Sequence, residues 1–246
     1  MLFRSRLAVV VGLLGCLQAV HGAPRSPETR ALWVLRSSLT SPSSIDALVD
    51  AANACCFVGA KDLGISGAEM PDELDANTAL LERLQAIRLA ASVAMGIAKN
   101  PDEARQKRLV PFIGFASEPQ DASTLTGERL AATDIDLTGR IISNGQPHRA
   151  LPLTGSLCMA VAARIEGTIV HDLTRAADNP EAPIRIAMPS GVLTVAASVS
   201  RRDGVWHAEQ GAFYRTQRRL FEGQVFVRAS RVTGLIDSVS GRRKAA

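Results

Sequence analysis

An unbroken apolar run extends from Leu157 to Ala163, and the first charge after it is Arg164. Thr154 stands ahead of the run and Gly167 behind it. Thr is a good helix N-cap and Gly suits the left-handed residue that ends a helix, so the pattern predicts a helix over 155–165. A helix that is apolar all round is buried. The small residues in it (Ala160, Ala162, Ala163) allow strands to pack closely around it.

The rest of the pattern supplies the surroundings. Ile45 to Ala60 carries the short apolar runs of a buried strand, with Asp50 and Asn53 as polar exceptions. Pro71-Asp72 and Asp75 signal a helix start. Leu80, Leu81, Leu84, Ile87, Ala91 and Met95 then recur at helical spacing until Gly96 and Asn100-Pro101 close the element. Leu109 to Ala116 predicts a strand, and Asp134 to Gly145 a short helix with acidic residues at its start. Beyond Gly167 the pattern turns to β. Ile169 to Thr174 reads as a short strand, and Ile184 to Met188 and Val192 to Val199 read as strands joined by a turn at Pro189-Ser190-Gly191. Asp203-Gly204 is a hairpin signal leading to a strand over Val205 to Phe213, and Gln224 to Val227 reads as a last short strand. A buried helix followed by successive strands predicts an α+β fold, with antiparallel sheet wrapped around one central helix and additional helices outside.

Composition changes this picture little. The chain has 246 residues, 46% hydrophobic and 21% charged, which is enough for a sizeable core and close to the globular average. The net charge of +4 is mild, and with a single Tyr there is no aromatic interleaving of the kind that stacks bases, so nucleic-acid binding is disfavoured. The four cysteines (Cys16, Cys55, Cys56, Cys158) and four histidines (His21, His148, His171, His207) show no metal-ligand spacing, which argues against a structural metal. Cys55 and Cys56 are adjacent, so in a strand they point to opposite faces and read as two buried thiols.

Residues 1–23 resemble a secretory leader: Arg4 and Arg6, an apolar run from Leu7 to Val20, and small residues up to Ala23 with a cleavage point after Gly22. The run is too short for a stable membrane span. The segment reads either as a leader or as an accident of the coding start. Residues 24–44 are rich in Pro, Ser and Arg and read as a linker or arm, residues 45–232 as the folded domain, and residues 233–246 as a loose tail.

The start of the central helix is the first candidate for chemistry. Its leading N–H groups have no partner within the helix, and the helix dipole places partial positive charge on them. Gly155 has no side chain to block a ligand, so Thr154-Gly155-Ser156 suits a carboxylate or phosphate. The alternative is an ordinary capped core helix.

Several stretches together resemble the PrpF family of methylaconitate and related isomerases. They are Val49-Asp50-Ala51-Ala52-Asn53, Val93-Ala94-Met95-Gly96, Pro147-His148-Arg149-Ala150, Pro152-Leu153-Thr154-Gly155, Pro189-Ser190-Gly191 and the segment Arg215 to Gly223. They occur in the family's order over about residues 45–232, and they raise the anion-site reading above the ordinary one.

The resemblance implies the diaminopimelate-epimerase-like fold, in which two similar domains hold substrate carboxylates between facing helix starts. It also implies double-bond migration in methylaconitate-like unsaturated carboxylates, without a metal or organic cofactor and with a small-molecule carboxylate as the substrate. By position, Thr154, Gly155 and Ser156 match the carboxylate-cradling helix start, and Ser190 and Gly191 the tight turn at the cleft. Asp50 and Asn53 match the strand that reaches it, and Arg215 offers a planar fork for a carboxylate or else a surface ion pair. His148 orients substrate or bonds within its loop, the loop being the favoured reading, and Cys158 is read as packing. The match is to the family's second domain only. The acid/base residues are expected on the first domain, for which residues 4–44 offer no counterpart. The family's Asn-Pro is Asn53-Ala54 here, and Met188 stands where a His usually precedes Pro-Ser-Gly.

Two functional classes follow. One is an isomerase that needs a first domain, acts in the cytoplasm, and self-associates or binds a chain supplying the missing half. The other is a non-catalytic carboxylate-binding or structural remnant, secreted if the leader is used.

Overall fold

The computed structural model describes residues 8–11, 31–36, 45–179, 181–202, 205–214, 222–224, 226 and 228. In chain order these form β1 (Ala8–Val11), β2 (Ala31–Arg36), β3 (Ile45–Ala51), β4 (Asn53–Gly59), α1 (Ala60–Leu63), α2 (Pro71–Ala76), α3 (Thr78–Ala94), α4 (Pro101–Gln106) and β5 (Phe112–Ser117). A two-stranded ribbon, β6 (Ala122–Ser123) with β7 (Arg129–Leu130), comes next, then β8 (Leu137–Ser143) and β9 (Gln146–Pro147). The chain continues through α5 (Leu153–Ala162), α6 (Ile169–Leu173), β10 (Ile184–Met188), β11 (Gly191–Arg202) and β12 (Val205–Phe213).

The main sheet runs β10-β11-β12-β1-β2-β3-β4-β5-β8-β9. Because β8 also pairs with β10, the sheet closes on itself. Most neighbours are antiparallel; β1–β2, β4–β5 and β8–β10 are parallel. Closure removes the exposed sheet edges at these strands. It also leaves an interior that α5 fills. Every residue of α5 from Gly155 to Ala162 is buried, as the unbroken apolar run predicts.

Alternation along β3 and β4 creates two cores. Ala47, Val49, Ala51, Cys55 and Phe57 face inward onto Cys158, Met159 and Ala162. Leu48, Cys56 and Val58 face outward onto Leu74, Leu80, Leu84 and Met95 of α2 and α3 and the segment after them. Cys55 and Cys56 therefore lie in different cores, both fully buried and neither in a disulfide. A strand covered on both faces reads as a continuous apolar run.

Local chemistry sets the boundaries. Asn77 accepts from the Leu80 N–H (3.1 Å) and caps α3, which separates it from α2. Asn100 does the same for α4 through the Glu103 N–H (2.9 Å), a helix the sequence pattern did not announce. Pro111, which lacks an N–H, delays β5 to Phe112.

Four expectations are corrected. Residues 45–60 are not one strand: Ala52, at φ +64°, turns the chain between β3 and β4. The stretch after Asp134 is strand β8, buried on both sides between β5 and β10, rather than a helix; the helical turn is confined to Ala132–Asp134. Residues 169–173 are helix α6 rather than a strand, because Thr168 Oγ1 accepts the His171 N–H (3.0 Å) and caps a turn. The α5 N-cap is Pro152 rather than Thr154, so the helix begins earlier and carries no capping side chain.

Strand β2 lies within the stretch read as an arm, and β1 within the leader-like run. The Asp203-Gly204 turn lies outside the described residues, although Arg202 and Val205 are paired across it. Of the strand expected at 224–227, Gln224 and Phe226 are not in strand, and Val225 and Val227 lie outside the described residues. The tail beyond Val232 also lies outside them. The chain divides into two units, 1–214 and 215–246; the described residues of the second carry no helix or strand. No helix among the described residues is long and apolar enough to cross a membrane.

Candidate functional site

The first intrahelical bond at the start of α5 is Ser156 N–H to Pro152 C=O (2.8 Å). The N–H groups of Leu153, Thr154 and Gly155 precede it and have no acceptor inside the helix. With Pro152 as N-cap no side chain covers them, and the dipole of a ten-residue helix leaves partial positive charge there. Ser156 is fully buried and its hydroxyl donates to Leu153 C=O (2.8 Å), so both its donors serve the turn itself. Thr154 is half-buried. Gly155 is required by packing: a Cβ there would lie 2.7 Å from Ile141 Cδ1 and 3.3 Å from both Phe112 and Pro152.

Strand registers show what shares this end of the barrel. The start of β5, at Phe112, is level with Cys55 and with the end of β8 near Ile142, and Phe112 also faces Gly155. The β3–β4 turn therefore lies beyond the same end, with Asp50 and Asn53, both half-buried, on either side of Ala51 and Ala52. Parallel pairing of β10 with β8 carries the Pro189-Ser190 turn there as well. Leu151 N–H meets Met188 Sδ at 3.3 Å, which ties that turn to the approach to α5. Ser190 is exposed, and Gly191, at φ +129°, pairs with Met188. The structure thus brings Thr154, Gly155, Ser156, Ser190, Gly191, Asp50 and Asn53 to one end of the sheet. Arg215 lies outside the described residues.

Two neighbours had no sequence signal. Ser143 Oγ lies 2.7 Å from His148 Nε2, and the Phe112 and His148 rings pack at 6.2 Å between centroids, tilted 50°. His148 N–H also donates to Ile141 C=O (2.9 Å), so the expected loop bonding is present. Burial holds the His148 imidazole below its usual pKa.

The thiols of the core are buried. Cys158 Sγ donates to Val49 C=O (3.3 Å), in keeping with a packing role. Burial, reinforced by the hydrogen bond with Cys158, raises the Cys55 thiol well above its ordinary value. Arg140, also buried, donates to the carbonyls of Glu69 and Ala68 (2.9 Å each), Gly139 (2.9 Å) and Ala187 (3.4 Å). Burial lowers its pKa to about 10, and its donors are spent on backbone. Among the described residues no group of three or more His, Cys, Asp or Glu could hold a metal ion. The arrangement therefore offers backbone N–H groups and hydroxyls suited to holding a carboxylate.

A family model described as PrpF protein matches residues 40–228. A 3-methylitaconate isomerase of Eubacterium barkeri is 37% identical over 196 residues, covering 78% of this chain and 50% of that protein. A 2-methyl-aconitate isomerase of Shewanella oneidensis is 33% identical over 180 residues, covering 73% and 45%. A crystal structure of methylitaconate-delta-isomerase superposes with a TM-score of 0.64 at 33% identity, covering 75% of this chain and 48% of that one. The chain spans about half the length of the curated relatives it matches. The sheet wrapped around a buried helix is the diaminopimelate-epimerase-like architecture.

Proposed function

We propose, from the premise that this chain belongs to the PrpF family, that it forms the carboxylate-holding part of an isomerase. The reaction moves a carbon–carbon double bond by allylic proton transfer in methylaconitate- or methylitaconate-like di- and tricarboxylates. The observation that carries the reading is the buried α5, whose start has no capping side chain and lies at the same end of the sheet as the 50–53 and 189–191 turns.

In this reading one substrate carboxylate sits on the N–H groups of Thr154 and Gly155, with the Ser190 hydroxyl and Gly191 N–H beside it. Ser156 secures the turn, and Asp50 and Asn53 border the site. A base removes a proton from the carbon allylic to the double bond, charge spreads onto the conjugated carboxylate, and a proton returns at the other end of the allyl system. The step is redox-neutral. Fixed donors at the carboxylate stabilise the charge as it develops, because they need no reorganisation. The acid/base pair, whose working pKa values lie near the operating pH, belongs to the family's other domain. Val192 and Tyr214, both exposed apolar side chains near the same end, suit the face that such a domain or a second copy covers. In this reading the protein acts in the cytoplasm, and a mature chain starting at Ala23 would overturn that part of it.

The test is calorimetry with 2-methyl-aconitate together with deuterium uptake into it from heavy water. Binding to the wild-type chain that weakens in Ser190→Ala and in Thr154→Pro, which removes one of the N–H groups, supports the reading. No binding and no deuterium uptake with wild type overturns it.

A further inference from the structure

His148 is held more firmly than a loop residue requires. Its backbone N–H bonds Ile141 C=O, its Nε2 bonds Ser143 Oγ at 2.7 Å, and its ring packs on Phe112. Phe112 in turn faces the Cβ direction of Gly155 at 3.3 Å, so a single aromatic ring separates the imidazole from the start of α5. Among the described residues the other ring nitrogen, Nδ1, has no hydrogen-bond partner, and the side chain is only half-buried.

A neutral imidazole carries one proton, and the bond made by one nitrogen sets the role of the other. A serine hydroxyl donating to Nε2 leaves the proton on Nδ1. A short unsaturated dicarboxylate, with a hydrogen-bond donor beyond each of its carboxylates, can bridge a helix start and an imidazole that lie on opposite sides of one aromatic ring.

We infer that His148 is a substrate-binding residue, whose Nδ1–H donates to a second carboxylate while the first rests on the start of α5. Ser143 is the positioning residue that selects the tautomer, and Phe112 is the spacer that keeps the two anion contacts apart. The inference rests on the function proposed above and assigns the second anion contact of that site.

The experiment uses the full chain labelled with ¹⁵N, titrated with 3-methylitaconate and observed by NMR at backbone amides and imidazole nitrogens. The His148 signals are assigned by their absence in His148→Gln. The expected result is a joint shift of the Thr154 and Gly155 amides and of His148 Nδ1, with Nε2 showing the shift of an acceptor. Amides that move while the His148 ring does not overturn this inference and leave the proposed function standing. Amides that do not move overturn both.

Two variants separate binding from structure. Asn places its amide near the position of Nδ1, and Gln near that of Nε2. His148→Gln keeps the Ser143 bond and loses the donor, so 3-methylitaconate affinity falls about tenfold, the loss expected for one charged hydrogen bond. His148→Asn weakens binding less than His148→Gln. The reverse order marks a purely structural histidine and overturns the inference.

Discussion

Gly155→Ala tests the account of how α5 is seated. The added Cβ would lie 2.7 Å from Ile141 Cδ1, close to 1 Å inside the optimum of about 3.5–4.0 Å for carbon contacts. Ile141 belongs to β8 and is almost wholly buried, so its side chain can shift only against packed neighbours. Overpacking of this kind costs about 1–3 kcal/mol, and Ala returns at most about 1 kcal/mol of helix propensity in the first turn. The net expectation is a loss of about 1–2 kcal/mol. Ile141→Val removes the one atom in conflict and alone costs about 0.5–1.5 kcal/mol. In the Gly155→Ala background it relieves the clash, so the double variant should be at least ~1 kcal/mol more stable than the two single losses added together. Urea unfolding at a common m-value measures all four corners of the cycle. A Gly155→Ala protein as stable as wild type, or additivity within about 0.5 kcal/mol, would refute the packing argument. It would then favour a glycine kept for ligand access alone.

Further perturbations test other parts of the fold. Asp136 takes a paired contact from Arg185 Nη2 (2.7 Å) and Nε (3.0 Å) and accepts the Arg185 N–H (2.8 Å). Burial alone would raise its carboxyl pKa, but the Arg185 bonds outweigh burial and lower it. Its contribution is therefore present above the unfolded-state pKa of about 4 and is lost as pH falls through the folded value. Asp136→Asn should cost about 1–3 kcal/mol at pH 7 and much less at pH 3, measured by urea unfolding at both; an equal loss at both contradicts the assignment. Thr168 Oγ1 accepts the His171 N–H and donates to Ala162 C=O (2.7 Å), linking the end of α5 to the start of α6. Thr168→Val should lower stability by about 1–2 kcal/mol with hydrogen exchange accelerated first in α6, and unchanged protection there would count against it. Cys55, Cys56 and Cys158 should react with a thiol reagent only at the rate of unfolding, since all are fully buried and burial raises the Cys55 thiol pKa. Rapid modification of the native chain, mapped by mass spectrometry to any of the three, would show that the core opens at that point.

The elements legible in the sequence are those whose environment is set by their own pattern. The apolar run through Met159 could only be buried. The β-branched stretches at Ile184 and Val192 could only pair. Adjacent Cys55 and Cys56 had to face opposite layers once they lay in a strand. The ordered motifs named the family because they sample separate parts of the chain. The misread elements are those whose state depends on distant neighbours. Leu137–Ser143 is short and apolar, a pattern common to buried helix and strand, and pairing with β5 on one side and β10 on the other decides it. Ala52 takes a left-handed conformation that few residues other than Gly adopt freely, so nothing in its identity marks the turn.

The same division applies to the candidate site. Its first contributor was readable, because a helix start has the same unpaired N–H groups in any protein. The absence of a capping side chain was not readable, since it follows from where Pro152 enters the helix. The true reason for Gly155 lies in Ile141, on another strand, and the Ser143–His148–Phe112 set joins β8, the segment after β9, and β5. Sequence by itself determined which segments are buried, which helix is central and which family the chain resembles, because those follow from local composition and order. Tertiary structure alone decided which side chains meet at the open end of the barrel, because closure through the β8–β10 pairing sets the register that brings them there.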